Sequence, residues 1–185
     1  MLDLGCGYGE FINNVPAQRK FAMDLNPESR KHLGRDIEFF EQDCSAPWPL
    51  ADDSLETVFT SNFFEHLPNK YSLRQTLKQA FRCLRSGGRL IAVGPNIKYL
   101  PGAYWDFFDH HIMLTEQSLG EALQVEGFLL DKVISRFLTY TLINAPQYPL
   151  LFLRLYLLMP CLWWLKGKQF LVIAVKPESL TFDAT

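Results

Sequence analysis

Short apolar runs alternate with segments of helical periodicity along the 185 residues. The runs have the length of buried strands, and polar residues follow several of them. We predict strands at 1–4, 21–23, 37–40, 55–60, 89–93, 128–135 and 169–175, the last of which is strongly apolar. Strands that alternate with helices indicate a mostly parallel α/β sheet with both faces covered.

Helices are predicted between these strands. A short helix at 10–15 follows a glycine-rich turn. A second begins at Asn26 and Pro27, because Asn is a good N-cap and Pro suits the first helical position. Apolar residues recur at helical spacing over 73–84, which predicts a third helix. The pair Gly87-Gly88 should end that helix. Thr115 is the predicted N-cap of a fourth helix, which runs to position 125.

Three glycines at alternate positions, Gly5, Gly7 and Gly9, follow the first predicted strand. Without a Cβ they let backbone N–H groups approach a ligand, and a helix that begins there would add a partial positive charge. The acidic residue Asp3 precedes the turn. Its negative charge argues for a ligand that carries a positive charge as well as a nucleoside. Dinucleotide-binding turns read G-x-G-x-x-G, whereas this turn reads G-x-G-x-G, so a nicotinamide enzyme is disfavoured.

The segment LDLGCGYGEF at 2–11 resembles the first motif of class I S-adenosylmethionine-dependent methyltransferases. SNFFEHL at 61–67 is similar to the fourth motif of that family, and LRSGGRLIAVGPN at 84–96 is similar to its helix–turn–fifth-strand block. The resemblance covers 1–135 and the final strand. It implies a Rossmann-like, doubly wound sheet with an antiparallel last strand beside the fifth, here without the N-terminal helix. It also implies S-adenosyl-L-methionine as the cofactor.

The resemblance assigns roles to residues at the strand ends. Asp24 would accept the ribose hydroxyls, and Asp43 would meet the adenine amino group, with the backbone of Cys44 beside the ring. Asn62 and Phe63 would border the methionine part of the cofactor and its methyl group. The expected cofactor-binding set is Asp3, Gly5, Cys6, Gly7, Tyr8, Gly9, Asp24, Leu25, Asp43, Cys44, Asn62 and Phe63.

Two segments supply candidates for the acceptor side. Glu65-His66 is similar to an E-H pair found in several small-molecule methyltransferases, and the aromatic block at 105–111 suits a ring-shaped or sugar-like substrate. A hydroxyl acceptor needs a nearby base, and a histidine titrates near neutral pH. The candidate catalytic residues are His66, Asp109, His110 and His111. The alternative is that these histidines cap helices or pack against the sheet. No metal is expected, because we find no cluster with metal-ligand spacing.

Composition limits the kinds of partner and the cellular compartment that the sequence predicts. The formal net charge of −2 predicts no nucleic-acid binding. The four cysteines are scattered and no secretory signal stands at the start, so we predict a cytoplasmic protein without disulfides or zinc. The chain begins inside the first core strand, which is expected of a clipped domain or a piece of a longer one.

The stretch at 146–168 is unusually apolar for a soluble core. Arg154 and Pro160 argue against a membrane span. Between 132 and 176 there are six cations and no Asp or Glu, a pattern typical of a helix on an anionic membrane surface. Two alternatives to that surface are a cap over the substrate site and the face of a homodimer. The segment also resembles those of methyltransferases encoded with surface-polysaccharide pathways, which favours a glycan or glycolipid acceptor.

We therefore predict one methyltransferase domain at 1–177, with an apolar insertion at about 138–167 and a C-terminal tail at 178–185. The predicted function is methyl transfer from S-adenosylmethionine to a small-molecule, glycan or glycolipid acceptor. The protein would be cytoplasmic or attached to the membrane surface. The alternative is a non-catalytic binding or scaffold module that keeps the fold.

Overall fold

The structure is a computed structural model that describes residues 1–140 and 150–178. Within these residues, seven strands form one sheet in the order β3-β2-β1-β4-β5-β7-β6. Neighbouring strands are parallel except that β7 runs antiparallel to both β5 and β6. The predicted α/β sheet with an antiparallel last strand beside the fifth is confirmed. The strands are β1 Leu2–Leu4, β2 Lys20–Asp24, β3 Ile37–Glu41, β4 Leu55–Ser61, β5 Leu84–Pro95, β6 Leu129–Ile134 and β7 Gln169–Val175.

In the part of the chain that the structure describes, four α-helices and three short 3-10 helices accompany the strands. The side chain of Asn26 caps the first 3-10 helix by accepting from the Glu28 N–H, and Thr115 caps α2 by accepting from the Ser118 N–H. Both predicted N-caps are confirmed. The α-helices are α1 Lys70–Cys83, α2 Glu116–Val125, α3 Leu150–Leu158 and α4 Pro160–Lys166, and the 3-10 helices are Pro27–His32, Phe64–His66 and Ala103–Asp106.

The main core lies where α1 and α2 pack on the sheet. Leu77 of α1 and Leu119 of α2 are fully buried in the same cluster as Leu90 and Phe170 of the central strands. Each such side chain stabilises the fold by roughly 1.5–3 kcal/mol through burial. These two helices therefore hold β4, β5 and β7 in place, and the carboxyl ends of the parallel strands form one continuous edge.

The opposite sheet face carries a groove of about 970 Å³. Phe59 and Ile91 alternate along their strands with buried core residues and line this groove, where Phe11 stacks on Phe59 at 3.7 Å between ring centroids. None of the predicted cofactor or catalytic residues lines the groove. The candidate site therefore lies elsewhere, at the carboxyl edge.

The predicted helix at 10–15 is wrong, because this segment forms a series of turns. Asn13 donates to the His32 carbonyl and accepts from the Gly34 N–H, and Asn14 donates to the Glu10 carbonyl. Asn side chains that bond to backbone groups in this way compete with helix formation. The glycine turn consequently gains no helix dipole.

The predicted end of the third helix is also wrong. α1 ends at Cys83 and β5 begins at Leu84, which pairs with Leu55 across an irregular register. Gly87 and Gly88 lie inside β5, where they exchange backbone hydrogen bonds with Lys176. Pairing with the neighbouring strand therefore places the residues after Cys83 in β5, although helical periodicity alone assigned them to the helix.

The predicted apolar insertion at about 138–167 lies only partly within the described residues. α3 and α4 occupy its second half, whereas 141–149 lies outside the described residues, as does the predicted tail from 179 onward. Among the described residues, no helix has both the length and the apolar character that crossing a membrane requires.

Candidate active site

The turn after β1 depends on glycine at each of its three alternate positions. Gly5, Gly7 and Gly9 have φ angles of 69°, 52° and 78°, in the left-handed region that favours glycine. A Cβ on Gly5 would collide with the Phe63 side chain, and one on Gly9 would lie 2.6 Å from a Leu33 methyl carbon. A Cβ on Gly7 would meet nothing within 4 Å. The loop is thus packed at both ends and open in the middle.

Asp24 ties this loop to the end of β2. One carboxylate oxygen accepts from the Gly7 N–H at 2.8 Å, and the other accepts from the Asn26 N–H at 2.9 Å. Strand β2 pairs directly with β1, so Asp24 and the glycine turn lie side by side at the carboxyl edge. The carboxylate faces the open part of the turn.

Asp3 is buried beneath the same turn, with 3% of its surface exposed. Burial raises the pKa of its carboxyl from 3.8 to about 7, against the lowering effect of a hydrogen bond from the Ile12 backbone. The nearby negative charges of Asp24 and Glu10 raise the pKa further. Three acids around one turn make a site that favours a cationic ligand.

The other residues of the turn offer backbone and ring surface. Burial, followed by the charges of Asp24 and Asp3, raises the pKa of Cys6 to about 12, so Cys6 stays a neutral thiol. Tyr8 lies against His32, with ring centroids 4.6 Å apart, and keeps 54% of its surface exposed. Leu25, directly after Asp24, is 68% exposed. These exposed apolar groups flank the acids.

Asp43 lies at the end of β3, which pairs with β2. Its carboxylate accepts from both the N–H and the hydroxyl of Ser45, each at 2.8 Å, and stays exposed. Cys44 points inward, where its sulfur lies 3.3 Å from the Thr76 hydroxyl, and burial raises its thiol pKa to about 11. Only the backbone of Cys44 therefore faces the edge, next to the carboxylate of Asp43.

Asn62 turns the chain at the end of β4. Its φ of 49° is left-handed, a conformation that Asn tolerates better than most residues. Its N–H donates to the Val93 carbonyl of β5, and its side-chain oxygen accepts from the Gln169 amide at 3.1 Å. This turn places Phe63 against Gly5. Gln169 was not predicted from the sequence, because its contact with Asn62 joins residues far apart in the chain.

The structure brings three of the four predicted catalytic residues together. His66 Nδ1 lies 3.1 Å from a carboxylate oxygen of Asp109 and 3.2 Å from its carbonyl oxygen. His110 Nδ1 lies 2.6 Å from the Tyr104 carbonyl oxygen, and the two imidazoles lie edge to face with centroids 4.8 Å apart.

The hydrogen bonds of these rings determine their tautomers. Since carbonyl and carboxylate oxygens only accept, Nδ1 of both His66 and His110 carries the proton. In the neutral form of each ring, Nε2 then has a lone pair, which can accept a proton or bind a cation. One ligand atom each from His66, Asp109 and His110 lie within 4.8 Å of one another, a grouping that the sequence spacing did not indicate.

His111 stands apart from this grouping. Its backbone N–H donates to the Glu65 carbonyl at 2.7 Å, and its ring lies edge to face with Phe108, whose side chain is exposed. The ring of His111 is not among the three side chains that converge. Its clearest contribution is therefore the backbone bond that holds this block onto the 3-10 helix of His66.

A buried Glu65–Tyr104 pair supports the histidines. The Tyr104 hydroxyl donates to the Glu65 carboxylate at 2.7 Å, and both residues are buried. Burial raises the pKa of Glu65, while the Tyr104 bond lowers it, and burial likewise raises the pKa of Tyr104. The sequence singled out Glu65 only as part of an E-H pair and missed Tyr104. A charged residue inside the apolar run FFEHL was the available signal.

The sheet order, the glycine turn and the acids at the ends of β1, β2 and β3 define a protein of the class I methyltransferase fold. Residues 2–92 match a family model described as a methyltransferase domain. The chain is 27% identical over 143 residues to a Mycolicibacterium smegmatis protein named "Probable S-adenosylmethionine-dependent methyltransferase". The fold and these matches identify residues 2–92 as a methyltransferase domain similar to those of the class I S-adenosylmethionine-dependent methyltransferases, whose cofactor is S-adenosylmethionine.

That match covers 74% of this chain and 54% of the relative, so the chain spans about half the length of the relative. Two solved structures share the fold. The protein solved in complex with the Haloferax volcanii Trm112 methyltransferase activator has a TM-score of 0.70 and 18% identity, over 96% of this chain and 82% of its own. A methyltransferase from Archaeoglobus fulgidus has a TM-score of 0.68 and 20% identity, over 95% of this chain and 85% of its own.

Proposed function

We propose that this chain transfers the methyl group of S-adenosylmethionine to a hydroxyl group of a small-molecule, glycan or glycolipid acceptor. The observation that carries the acceptor chemistry is the convergence of His66, Asp109 and His110, in which Nδ1 of both rings is a hydrogen-bond donor and Nε2 is left as the acceptor atom of the neutral ring. A hydroxyl must lose its proton as it attacks, whereas an amine needs less help.

The cofactor would lie along the ends of β1, β2 and β3. Asp3 and the ring of Tyr8 would face the cationic methionine part, and Gly5, Gly7 and Gly9 would present backbone there. Asp24 would accept the ribose hydroxyls. The sulfonium supplies an activated methyl group, so the protein has mainly to align the two reactants and exclude water.

The remaining cofactor residues continue along the same edge. Asp43 and the backbone of Cys44 would take the adenine, and Leu25 would cover the base with its exposed side chain. Cys6 contributes backbone only, because its thiol is buried and protonated. Asn62 and Phe63 would close the site on the side of the methyl group, since Phe63 already packs on Gly5.

His66 and His110 would act on the acceptor side. Asp109 holds His66 with its proton on Nδ1, and the Tyr104 carbonyl holds His110 in the same tautomer. Each ring can therefore take a proton at Nε2 and become cationic, a state that Asp109 stabilises next to His66. His111 is the weaker candidate because its ring does not join them.

Binding should be tested by calorimetric titration with S-adenosylmethionine and its demethylated product. We expect wild-type binding and a loss of about tenfold to a hundredfold in Asp24→Ala, since a charged hydrogen-bond acceptor is removed. Asp52→Ala, which removes an exposed carboxylate that pairs with Arg82, is the matched control. Unchanged affinity in Asp24→Ala would remove the ribose assignment, and binding of NAD alone would reverse the cofactor assignment.

Turnover should be tested with tritiated methyl donor and two acceptor sources, a polar metabolite extract and a glycolipid extract. We expect label in one of them with wild type, a loss of tenfold or more in His110→Gln, and little loss in His111→Gln. Label that persists in both His110→Gln and His66→Gln would contradict the assignment of a histidine base. Cofactor binding with no transfer to either extract would favour the binding or scaffold module.

A further inference from the structure

Helices α3 and α4 form an exposed apolar hairpin, residues 150–166, joined at Met159. Leu158 is 77% exposed and Trp164 is 69% exposed. Monomeric soluble proteins rarely expose contiguous apolar surface of this kind unless it serves as an interaction site. The exposed large apolar side chains of the hairpin are Leu151, Phe152, Leu153, Leu155, Leu157, Leu158, Met159, Trp164 and Leu165.

The inner side of the hairpin is fixed to the domain. The Tyr156 hydroxyl donates to the Phe137 carbonyl at 2.6 Å, and the Trp163 indole N–H donates to the Tyr156 carbonyl at 2.8 Å. The Trp163 ring lies edge to face with Phe137, with centroids 5.1 Å apart. These contacts hold the hairpin in one orientation, so its outer side chains are presented to a partner.

The charged side chains of the hairpin and of the chain segments that flank it in the sequence are all cationic. Arg154, Lys166 and Lys168 are exposed, and Arg136 donates to the carbonyls of Leu165 and Gly167 at the end of α4. The sequence from 132 to 176 contains no Asp or Glu. A long Arg side chain lets Arg154 keep its guanidinium in water while its stem lies among leucines. Apolar side chains accompanied by these cations complement an anionic, partly apolar surface.

We propose that the apolar hairpin binds the surface of an anionic membrane and lies within the interface without crossing the bilayer. The nine residues of α3 extend about 14 Å at 1.5 Å per residue, against a hydrocarbon core of about 30 Å. Leucine, phenylalanine and tryptophan insert at the boundary of the acyl chains, and the cations bind lipid phosphates. This inference does not depend on which acceptor is methylated.

The charge pattern also separates a membrane from a second copy of the chain. An isologous dimer pairs the same patch of both copies. Arg154 and Lys166 would then face the cations of the partner copy, and no acid in 132–176 would offset them. Anionic lipid headgroups supply the missing negative charge.

The hairpin joins the domain at the carboxyl edge of the sheet. After Gly167 the chain enters β7, whose first residue, Gln169, pairs with Pro95 and donates to Asn62. Membrane binding through the hairpin would therefore hold this edge beside the lipid surface, next to the cofactor side of the domain.

Vesicle flotation tests the proposal with vesicles of phosphatidylcholine alone and of phosphatidylcholine and phosphatidylglycerol in equal parts. We expect wild type to float with the anionic vesicles and to be released by high salt. The double variant Leu158→Glu/Trp164→Glu should lose flotation. Arg154→Gln/Lys166→Gln should float about tenfold less with anionic vesicles, because each cation near the lipid surface adds to binding.

Two variants elsewhere serve as controls. Val125→Glu changes an exposed apolar residue on α2, and Lys78→Gln removes an exposed cation on α1, so both should float like wild type. Cofactor affinity, measured in parallel, reports whether each variant is folded. Wild type that stays with the soluble fraction, or hairpin variants that float normally, would overturn the proposal. A dimer in light scattering that Leu158→Glu/Trp164→Glu converts to monomer, without flotation, would assign the hairpin to a second copy.

Discussion

Phe63 packs directly on the backbone of Gly5, so that a Cβ built on Gly5 would lie 2.8 Å from Phe63 Cβ and closer still to its ring. This contact joins the turn after β1 to the turn after β4. Phe63 is followed at once by the 3-10 helix Phe64–His66, which carries His66. The packing of the glycine turn therefore sets the position of His66, one of the two candidate bases.

Gly5→Ala should destabilise the protein far more than Gly7→Ala. The first variant combines left-handed strain of about 1–2 kcal/mol with a steric collision that typically costs about 1–3 kcal/mol. The second has the same strain but open space around the new methyl group. Urea unfolding of both variants measures the difference. Equal midpoints would mean that Phe63 moves away without cost.

Gly7→Ala should instead weaken cofactor binding. Its Cβ would stand in the open middle of the turn, where the ligand is proposed to approach the backbone. Calorimetry with S-adenosylmethionine should give at least a tenfold weaker affinity than wild type, while the loss of stability stays at the left-handed strain of about 1–2 kcal/mol. Gly87→Ala is the matched control, because Gly87 also has a positive φ and open space but lies far along β5 from the turn.

Asp3 should make both stability and cofactor affinity depend on pH. Its pKa is about 7 in the folded protein and 3.8 ordinarily, so between these values the folded state holds a proton that the unfolded state has lost. The stability contributed by this proton is fully present below about pH 4 and is lost as the pH rises through about 7. Asp3→Asn should lack this dependence.

A cationic ligand reverses the preference by favouring the ionised carboxyl. S-adenosylmethionine should therefore bind more tightly as the pH rises toward about 7, with release of a proton from Asp3. Calorimetry at about pH 6 in two buffers of different ionisation enthalpy measures that proton. Identical apparent enthalpies in the two buffers would show that Asp3 does not respond to the cofactor.

Asn62 should tolerate glycine better than alanine. Its left-handed φ of 49° costs alanine about 1–2 kcal/mol more than glycine, while both variants lose the bond from Gln169. Urea unfolding should therefore rank wild type above Asn62→Gly, and Asn62→Gly above Asn62→Ala. Gln169→Ala removes the same bond without changing the turn, so it measures how much of the loss of stability comes from that bond. The reverse order of the two Asn62 variants would contradict a strained turn.

The sequence predicted the strand ends well for a physical reason. A buried strand must be continuously apolar, so the polar residue that follows it marks where the backbone leaves the sheet. Asp24, Asp43 and Asn62 were found in this way, at the ends of β2, β3 and β4 or directly after them. Their side-by-side placement then follows from the parallel pairing of the strands.

Contacts between distant residues could not be predicted in the same way. Asn13 bonds to His32 and Gly34, and these bonds replace the helix that was expected to follow the glycine-rich turn. The approach of Asp109 to His66 spans 43 positions and depends on how the loop after β5 folds back. Local patterns identify the residues that carry chemistry, whereas tertiary packing decides which of them meet.

The buried Glu65–Tyr104 pair provides the last prediction. Tyr104→Phe removes the hydrogen bond that lowers the pKa of Glu65 and leaves the carboxyl buried without its phenol donor. The free energy of unfolding should fall by about 1–3 kcal/mol, the usual penalty for an unsatisfied buried group. This loss of stability should grow with pH, because the ionised carboxylate of Glu65 is the form that needs the donor.

A double-mutant cycle separates the pair from general packing. Tyr104→Phe/Glu65→Leu removes both polar partners, so its loss of stability should be smaller than the sum of the two single losses. Tyr71→Phe, which changes an exposed tyrosine, should stay within about 0.5 kcal/mol of wild type. His110 should keep its tautomer in Tyr104→Phe, because it bonds to the backbone carbonyl of residue 104 and not to the phenol. Strictly additive losses would show that Glu65 and Tyr104 contribute independently.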